Sequence, residues 1–357
     1  MSESQSPLSA KVPRFAAPPT DTPVVLVRDV IVCVTGDHDI SLEEFKAHPP
    51  IASPIELRLS GSADPVSLGR GVMLGRLSNE DAELVMNACS SRGHYFNPTR
   101  QFGQRFSFIR EVDLARWEQR RSAWDDEGVV YDCLSLSRLV RDNAYSTEYA
   151  ARIINHEDGV QQVIYTPNAE SKHAYRFRHG RDWPDYAEAA ELRQLAQAYW
   201  SCAEELPGRV RRAMWRTEYS AWVRWADLAL PIIVSGLESL IKTERHGATG
   251  QFTQRVPALA DELGVDGVTA ARSEDVYDAR SEWVHGTHVK LFTVGMEAQQ
   301  RQAEGPTTAL ETEAFATVAL FQDVLRGAIR RALVDTDFRA IFQDDATVTR
   351  RWPLKKR

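Results

Sequence analysis

The sequence predicts an α+β protein, with a mixed α/β N-terminal domain followed by an all-α C-terminal helical bundle. Two observations carry this. Up to about residue 181 apolar residues alternate in short β-branched runs, the period of half-buried strands. After Trp183-Pro184 they recur every three to four residues over long stretches with few breakers, the period of helices that bury one face. At 357 residues the chain is long enough for two such parts, each with its own core.

Residues 1–22 carry several prolines and no hydrophobic period, and are expected to form a disordered lead-in. The α+β domain is then expected over 23–181. Its first run, Val24 to Val34, is β-branched and bounded by Thr35-Gly36-Asp37, which predicts one strand or two paired strands. Ile55 to Ser60 and Phe106 to Val112 alternate in the same way. A helix opens at Leu77 to Glu83, with Ser78 as the candidate N-cap and Glu80 to Glu83 placing negative charge at its positive end. A second helix is expected over Tyr131 to Val140, then a strand over Val160 to Thr166 paired with Ala174 to Arg178.

The bundle is expected over 184–345. Ala187 to Glu205 reads as one helix, stopped by Leu206-Pro207-Gly208. A long helix from Val210 to about Thr243 follows, with a kink at Pro231, where a backbone hydrogen bond is lost. Phe252 to Leu263, Ser273 to His285 and Thr312 to Leu333 complete five helices, and residues 346–357 read as a basic tail.

Composition limits what such a chain can do. A net charge of −7 excludes a uniformly basic protein that coats nucleic acid, so any such contact must be a local patch. All but seven of the 43 basic residues are arginine, which suits bidentate phosphate contacts, although base composition is the better explanation. The four cysteines form no Cys-x-x-Cys pair, which argues against a zinc ribbon or disulfide scaffold and suits a reducing cytoplasm. Trp222 to Ile241 is the most apolar run, but Arg224, Asp227, Pro231 and Glu238 interrupt it, so a buried helix is expected rather than a membrane span.

The chemistry-bearing stretch is Val276-Tyr277-Asp278-Ala279-Arg280-Ser281-Glu282-Trp283-Val284-His285-Gly286, a helix that ends on glycine. It sets an arginine and a histidine five residues apart. The bare pair is a weak signal, so its surroundings carry the weight. Tyr277 precedes the arginine by three, Ser281 follows it, and Gly286 follows the histidine. Upstream lie an apolar helix with Gly236-Leu237-Glu238-Ser239-Leu240, a glycine-containing loop, and Phe252-Thr253-Gln254-Arg255-Val256-Pro257-Ala258-Leu259.

In this order the segment from about 210 to 335 resembles the HEPN superfamily, in particular the Apea-like HEPN domains. The resemblance implies a metal-independent endoribonuclease with no cofactor, in which the ribose 2′-hydroxyl attacks the phosphate and leaves a 2′,3′-cyclic phosphate. It implies Arg280 and His285 as catalytic residues, a phosphate-holding guanidinium and a proton-transferring imidazole, and a homodimer in which two such motifs share one cleft. A cytoplasmic role in antiviral defence, abortive infection or as a toxin follows, with the N-terminal domain a sensor or regulatory module for an unnamed trigger. The competing class is a non-catalytic HEPN-type module that dimerises or binds nucleotide through the same helices; a third is a toxin component that needs a neighbouring gene product.

Five residues at ~100° each leave Arg280 and His285 roughly 140° apart on a regular helix. They must converge through arginine's reach, a distorted last turn, or a two-fold partner. Taken from spacing alone, Arg280 could instead pair with Asp278 or Glu282 while His285 caps the helix. Ser281 either contacts phosphate or faces solvent, and Glu238 either orients Arg280 or serves at the surface or as a cap. Tyr277, Trp283 and Val284 are expected to pack.

Weaker candidates for holding RNA are Arg176 and Arg178 within Lys172 to Arg181, where cations alternate with aromatics that could equally be core, and the patch of Arg209, Arg211, Arg212 and Arg216, which could flank a cleft or form a solvated helix face. Gly69 to Gly75 has the wrong spacing for a dinucleotide fingerprint and follows no convincing strand. Asp37-His38-Asp39 and His156-Glu157-Asp158 read as polar turns, and no metal site is expected.

Overall fold

The computed structural model describes residues 22–32, 65–78, 80–81, 84–85, 106–114, 128–143, 150–165, 186–223, 226–244, 246–285 and 309–355. Among these the chain is α+β: a six-stranded antiparallel sheet and a larger set of helices. The strands are β1 (Val24–Val32), β2 (Val66–Gly69), β3 (Val72–Arg76), β4 (Phe106–Glu111), β5 (Ala150–His156) and β6 (Gln161–Tyr165), in the order β2-β3-β4-β1-β5-β6. The helices are α1 (Gly128–Val140), α2 (Tyr186–Cys202), α3 (Gly208–Ala221), α4 (Ala226–Ile241), α5 (Ala248–Leu263), α6 (Ala270–His285), α7 (Ala309–Val334), α8 (Thr336–Ala340) and α9 (Asp345–Arg351).

The run from Val24 forms one strand, β1, in the middle of the sheet. Its register places Asp29 opposite Arg110 on one side and Arg152 on the other. Arg152 Nε and Nη2 donate to the two Asp29 carboxylate oxygens at 2.6 and 2.9 Å, so this buried charge is matched in two bonds. Ser78 caps as its position predicts, its hydroxyl accepting from the Asp81 N–H at 3.0 Å. The Asp81 carboxylate is held by Arg28 at 2.6 and 2.7 Å.

Two elements differ from the sequence reading. The strand expected over Val160 to Thr166 is β6, which pairs with β5 across a tight turn at Glu157-Asp158-Gly159; its expected partner, Ala174 to Arg178, lies outside the described residues, as does Ile55 to Ser60. Gly69-Arg70-Gly71 follows a strand after all, because it is the turn of the β2–β3 hairpin. All three residues have positive φ (89°, 49° and 77°), a geometry that glycine adopts without strain. The helix expected over 210–243 is two helices, the first ending at Ala221 and the second starting at Ala226. A straight helix of that length would run about 50 Å. Trp222 and Val223 tighten to bonds with Tyr219 and Ser220, three residues back, and α4 then packs against α3. Pro231 sits inside α4, which accommodates the missing donor and continues.

One apolar cluster runs from the sheet (Ile31, Leu68, Val72, Leu74, Phe108) through α1 and α2 to α4, α5 and α7, so the core does not divide where the composition does. Two contacts fasten the parts. Trp200 of α2 lies under the hairpin turn: its indole N–H donates to the Leu68 carbonyl at 2.9 Å, and the Arg70 guanidinium rests 4.8 Å above the ring. A Cβ on Gly69 would meet the same ring at 3.0 Å. On α1, Arg138 donates to Glu218 of α3 at 3.0 Å, while Arg326 of α7 reaches the Arg138 carbonyl at 3.3 Å.

The basic tail is part of the fold. Trp352 is buried, and Arg351 makes two bonds to Glu262 of α5 at 2.6 and 3.0 Å. Arg255 of α5, which has 1% of its surface exposed, holds this end in place. It donates to the Trp352 carbonyl (2.9 Å), the Ile241 carbonyl at the end of α4 (2.7 Å), Thr243 Oγ1 (2.8 Å) and Gln251 Oε1 (3.1 Å). Burial pushes its guanidinium below the ordinary arginine value, and carbonyls from two helix C-termini supply the negative potential that keeps it charged. Replacing Arg255 with Met should therefore cost about 3 kcal/mol or more in urea denaturation, since two helix-end carbonyls lose their donor. Arg255→Lys should recover little of it, because an ammonium cannot span the same acceptors.

Candidate functional site

Glu238 lies one turn before the end of α4, and Tyr277 and Arg280, three residues apart, occupy the face of α6 turned toward it. The Tyr277 hydroxyl donates to Glu238 Oε1 at 3.1 Å, and Arg280 Nη2 lies 3.7 Å from Oε2. The Arg280 guanidinium stands 5.6 Å from the Tyr277 ring centre. Lys242 Nζ approaches Glu238 at 3.9 Å, so one carboxylate stands between two cations. Tyr277 is anchored from below: its ring packs 5.2 Å from Phe252, which stacks on Phe321 in the core. Burial raises the Tyr277 pKa, and the Glu238 charge raises it further, so the phenol stays a donor.

Of the sequence candidates, Glu238 therefore reaches Arg280, and it does so from another helix. Arg280 keeps 27% of its side chain exposed, Ser281 is half-buried, and Tyr277 packs as expected. Val284 does not pack; half of its surface is exposed. The α6 backbone stays helical through His285, its last residue, so the regular ~140° offset between the two positions persists and no distorted turn brings them together. The side chains of Trp283 and His285, together with Gly286, lie outside the described residues.

The arginine patch on α3 divides. Arg209 points inward and caps α4, donating to the carbonyls of Ser239 (3.1 Å), Leu240 (3.3 Å) and Lys242 (2.8 Å), and it pairs with Asp345. Its expected place on an RNA surface gives way to this because helix-end carbonyls need donors. Arg211 donates to the carbonyls of Leu206 (2.8 Å) and Glu204 (3.1 Å) from the surface. Arg212 and Arg216 are exposed. Arg176 and Arg178 lie outside the described residues, as does Asp37-His38-Asp39.

A second cluster escaped the sequence reading because its members come from three elements. The Tyr199 hydroxyl of α2 donates to Asp132 of α1, and both feel the charge of Arg70 in the hairpin turn. Burial pushes the Asp132 carboxyl up to about 6, against the Tyr199 hydrogen bond and the Arg70 charge, and burial pushes Tyr199 up to about 12. Cys133 and Cys202 are buried free thiols, both pushed up by burial and so poor nucleophiles. Among the described residues no group of three or more His, Cys, Asp or Glu could hold a metal ion, and no helix is long and apolar enough to cross a membrane.

Compared with known protein families, curated proteins and solved structures, the chain matches none. The site's own geometry is what bears on function.

Two outcomes test this geometry. A double-mutant cycle of Glu238→Gln and Arg280→Ala, read by chemical denaturation, should return a coupling of about 0.5–1 kcal/mol, whereas additive effects would mean the pair is not formed in solution. Asp132 holds its proton more tightly when folded, so the stability it contributes is full below pH 3.8 and lost as pH rises through about 6. Asp132→Asn should flatten the melting temperature against pH across that window and raise it at pH 7.

Proposed function

We propose that the chain is a metal-independent endoribonuclease of the HEPN type, and that its helical part is an Apea-like HEPN bundle. The observation that carries this reading is the partly exposed Arg280, which shares with Tyr277 the helix that ends at His285 and is approached by Glu238 of α4.

The chemistry asks little of the protein, because RNA brings its own nucleophile. The 2′-oxygen attacks phosphorus, the bond to the 5′-oxygen breaks, and the products carry a 2′,3′-cyclic phosphate and a 5′-hydroxyl. His285 handles the proton that leaves the 2′-hydroxyl or the one that reaches the 5′-oxygen, at the helix end where the macrodipole favours imidazolium. Arg280 meets the phosphate oxygens as charge builds on them. Glu238 is a positioning residue: it draws one guanidinium nitrogen to 3.7 Å and leaves other N–H groups for phosphate. With Arg280 and His285 about 140° apart on one regular helix, a second copy is the route that completes the cleft, so the working form is a homodimer about a two-fold axis near residues 280–288. The setting is the cytoplasm, in antiviral defence or as a toxin, and the sheet half carries the response to a trigger.

One observation favours a second reading. Glu238 already neutralises part of the Arg280 charge, as it would in a non-catalytic HEPN-type module that dimerises or binds nucleotide through these helices.

Incubation of the purified protein with total RNA in EDTA separates the two. The ribonuclease yields fragments ending in 2′,3′-cyclic phosphate, and Arg280→Ala and His285→Ala each reduce cleavage by at least about 100-fold with melting curves nearly unchanged. Undiminished cleavage in both variants rules out the assignment, and intact RNA beside a stable dimer favours the module.

A further inference from the structure

The solvent side of α3 carries a row of aromatic rings. Trp215, Tyr219 and Trp222 follow at spacings of four and three, and so line up along one face. The Trp215 and Tyr219 rings stack at 5.8 Å and 21°, and the Tyr219 and Trp222 rings at 5.3 Å and 19°. The opposite face is the buried one, through Val210, Ala213, Thr217, Ser220 and Ala221, so the core does not need the row. Trp215 is 50% exposed and Trp222 40%. Leaving this much aromatic surface in water forgoes the burial that aromatic side chains ordinarily supply, which marks the row as a contact surface.

Charge identifies the partner. At ~100° per residue Arg212 and Arg216 both fall on one flank of the row, about 6 Å apart along the axis. Both are exposed and neither has an ion pair among the described residues. On the other flank Glu218 is engaged by Arg138 at 3.0 Å. A second copy of the chain docked here about a two-fold axis would set these arginines against their own images. A lipid surface would want rings splayed outward among aliphatic residues, whereas these cover one another and leave the outer face of Trp215 at the end of the stack. A flat apolar partner with a negative charge on one side fits both features.

We propose that α3 is a stacking platform for single-stranded RNA: a base continues the stack on Trp215, its neighbours lie along the row, and the phosphates run beside Arg212 and Arg216. The proposal rests on the ribonuclease reading for RNA as the ligand, and supplies what that reading lacks, a surface that holds the strand outside the cleft. Because stacking accepts every base, the platform selects for single strands and not for sequence, which directs cleavage to loops and unpaired ends.

The test is fluorescence anisotropy of the full-length protein with a labelled 12-nucleotide 2′-O-methyl RNA, which has no 2′-hydroxyl to attack and is not cleaved. The wild type should bind the single strand and bind its duplex more weakly. Trp215→Ala should weaken single-strand binding about 5- to 150-fold, and Trp215→Phe should restore most of it. Arg212→Ala with Arg216→Ala should lower the slope of log affinity against log salt by about 1.4. Melting curves should stay close to wild type, since these side chains face solvent. Equal affinity in wild type and Trp215→Ala overturns the platform, as does a Trp215→Ala effect confined to self-association or to binding of phosphatidylserine vesicles. Cleavage of total RNA without oligonucleotide binding overturns the platform and leaves the ribonuclease standing; tight Trp215-dependent binding without cleavage does the reverse.

Discussion

A guanidinium sealed in the bundle sets the constraint on which the other helices depend. Arg255 cannot shed its charge and is almost wholly buried, so acceptors must be brought to it. The chain supplies the carbonyls that α4 and the segment after α9 leave without intrahelical partners, which answers two needs with one residue. Gln251, one turn earlier, does the same for the following loop, accepting from the Thr243 N–H and donating to the carbonyls of Glu244 and His246. Arg209 approaches the end of α4 from α3. Two arginines from two helices thus fix where α4 stops, and Glu238 sits three residues before that point.

The candidate site inherits its position from this arrangement. With α4 pinned, the Glu238 carboxylate meets Tyr277 and Arg280, and the tyrosine is in turn wedged on Phe252, three residues before Arg255 on α5. Close approach elsewhere keeps the helices in register. A Cβ on Gly236 would come within 2.7 Å of Leu325 on α7 and 3.1 Å of the Arg216 Cβ on α3, so only glycine lets these three helices meet there. The same packing that buries one side of α3 leaves its aromatic row outside, so platform and site are built on adjoining helices.

The sheet is not an independent attachment. Trp200 seats the β2–β3 turn, the Arg138–Glu218 pair and Arg326 bridge α1 to the bundle, and one apolar cluster passes through all of them. Any influence of the sheet half on the site has a continuous packed route, from α1 through α7 to α4.

What the sequence determined by itself is local: the strand at Val24, the Ser78 cap, the helical period after residue 186, and a helix ending at His285 that carries Tyr277 and Arg280. These follow from propensity, capping and periodicity, which act within a few residues. Only the tertiary structure decided the rest. Arg209 looked like its neighbours Arg212 and Arg216 and proved to be a cap, because the carbonyls it serves lie some thirty residues on. Arg255 carried no mark of burial, and an acidic partner of Arg280 comes from α4. Arg351 and Trp352 read as part of a basic tail, and they are drawn in by Glu262 and Arg255. In each case the deciding partner is far along the chain, and a polar side chain's role depends on which unmet acceptor or charge the fold brings beside it.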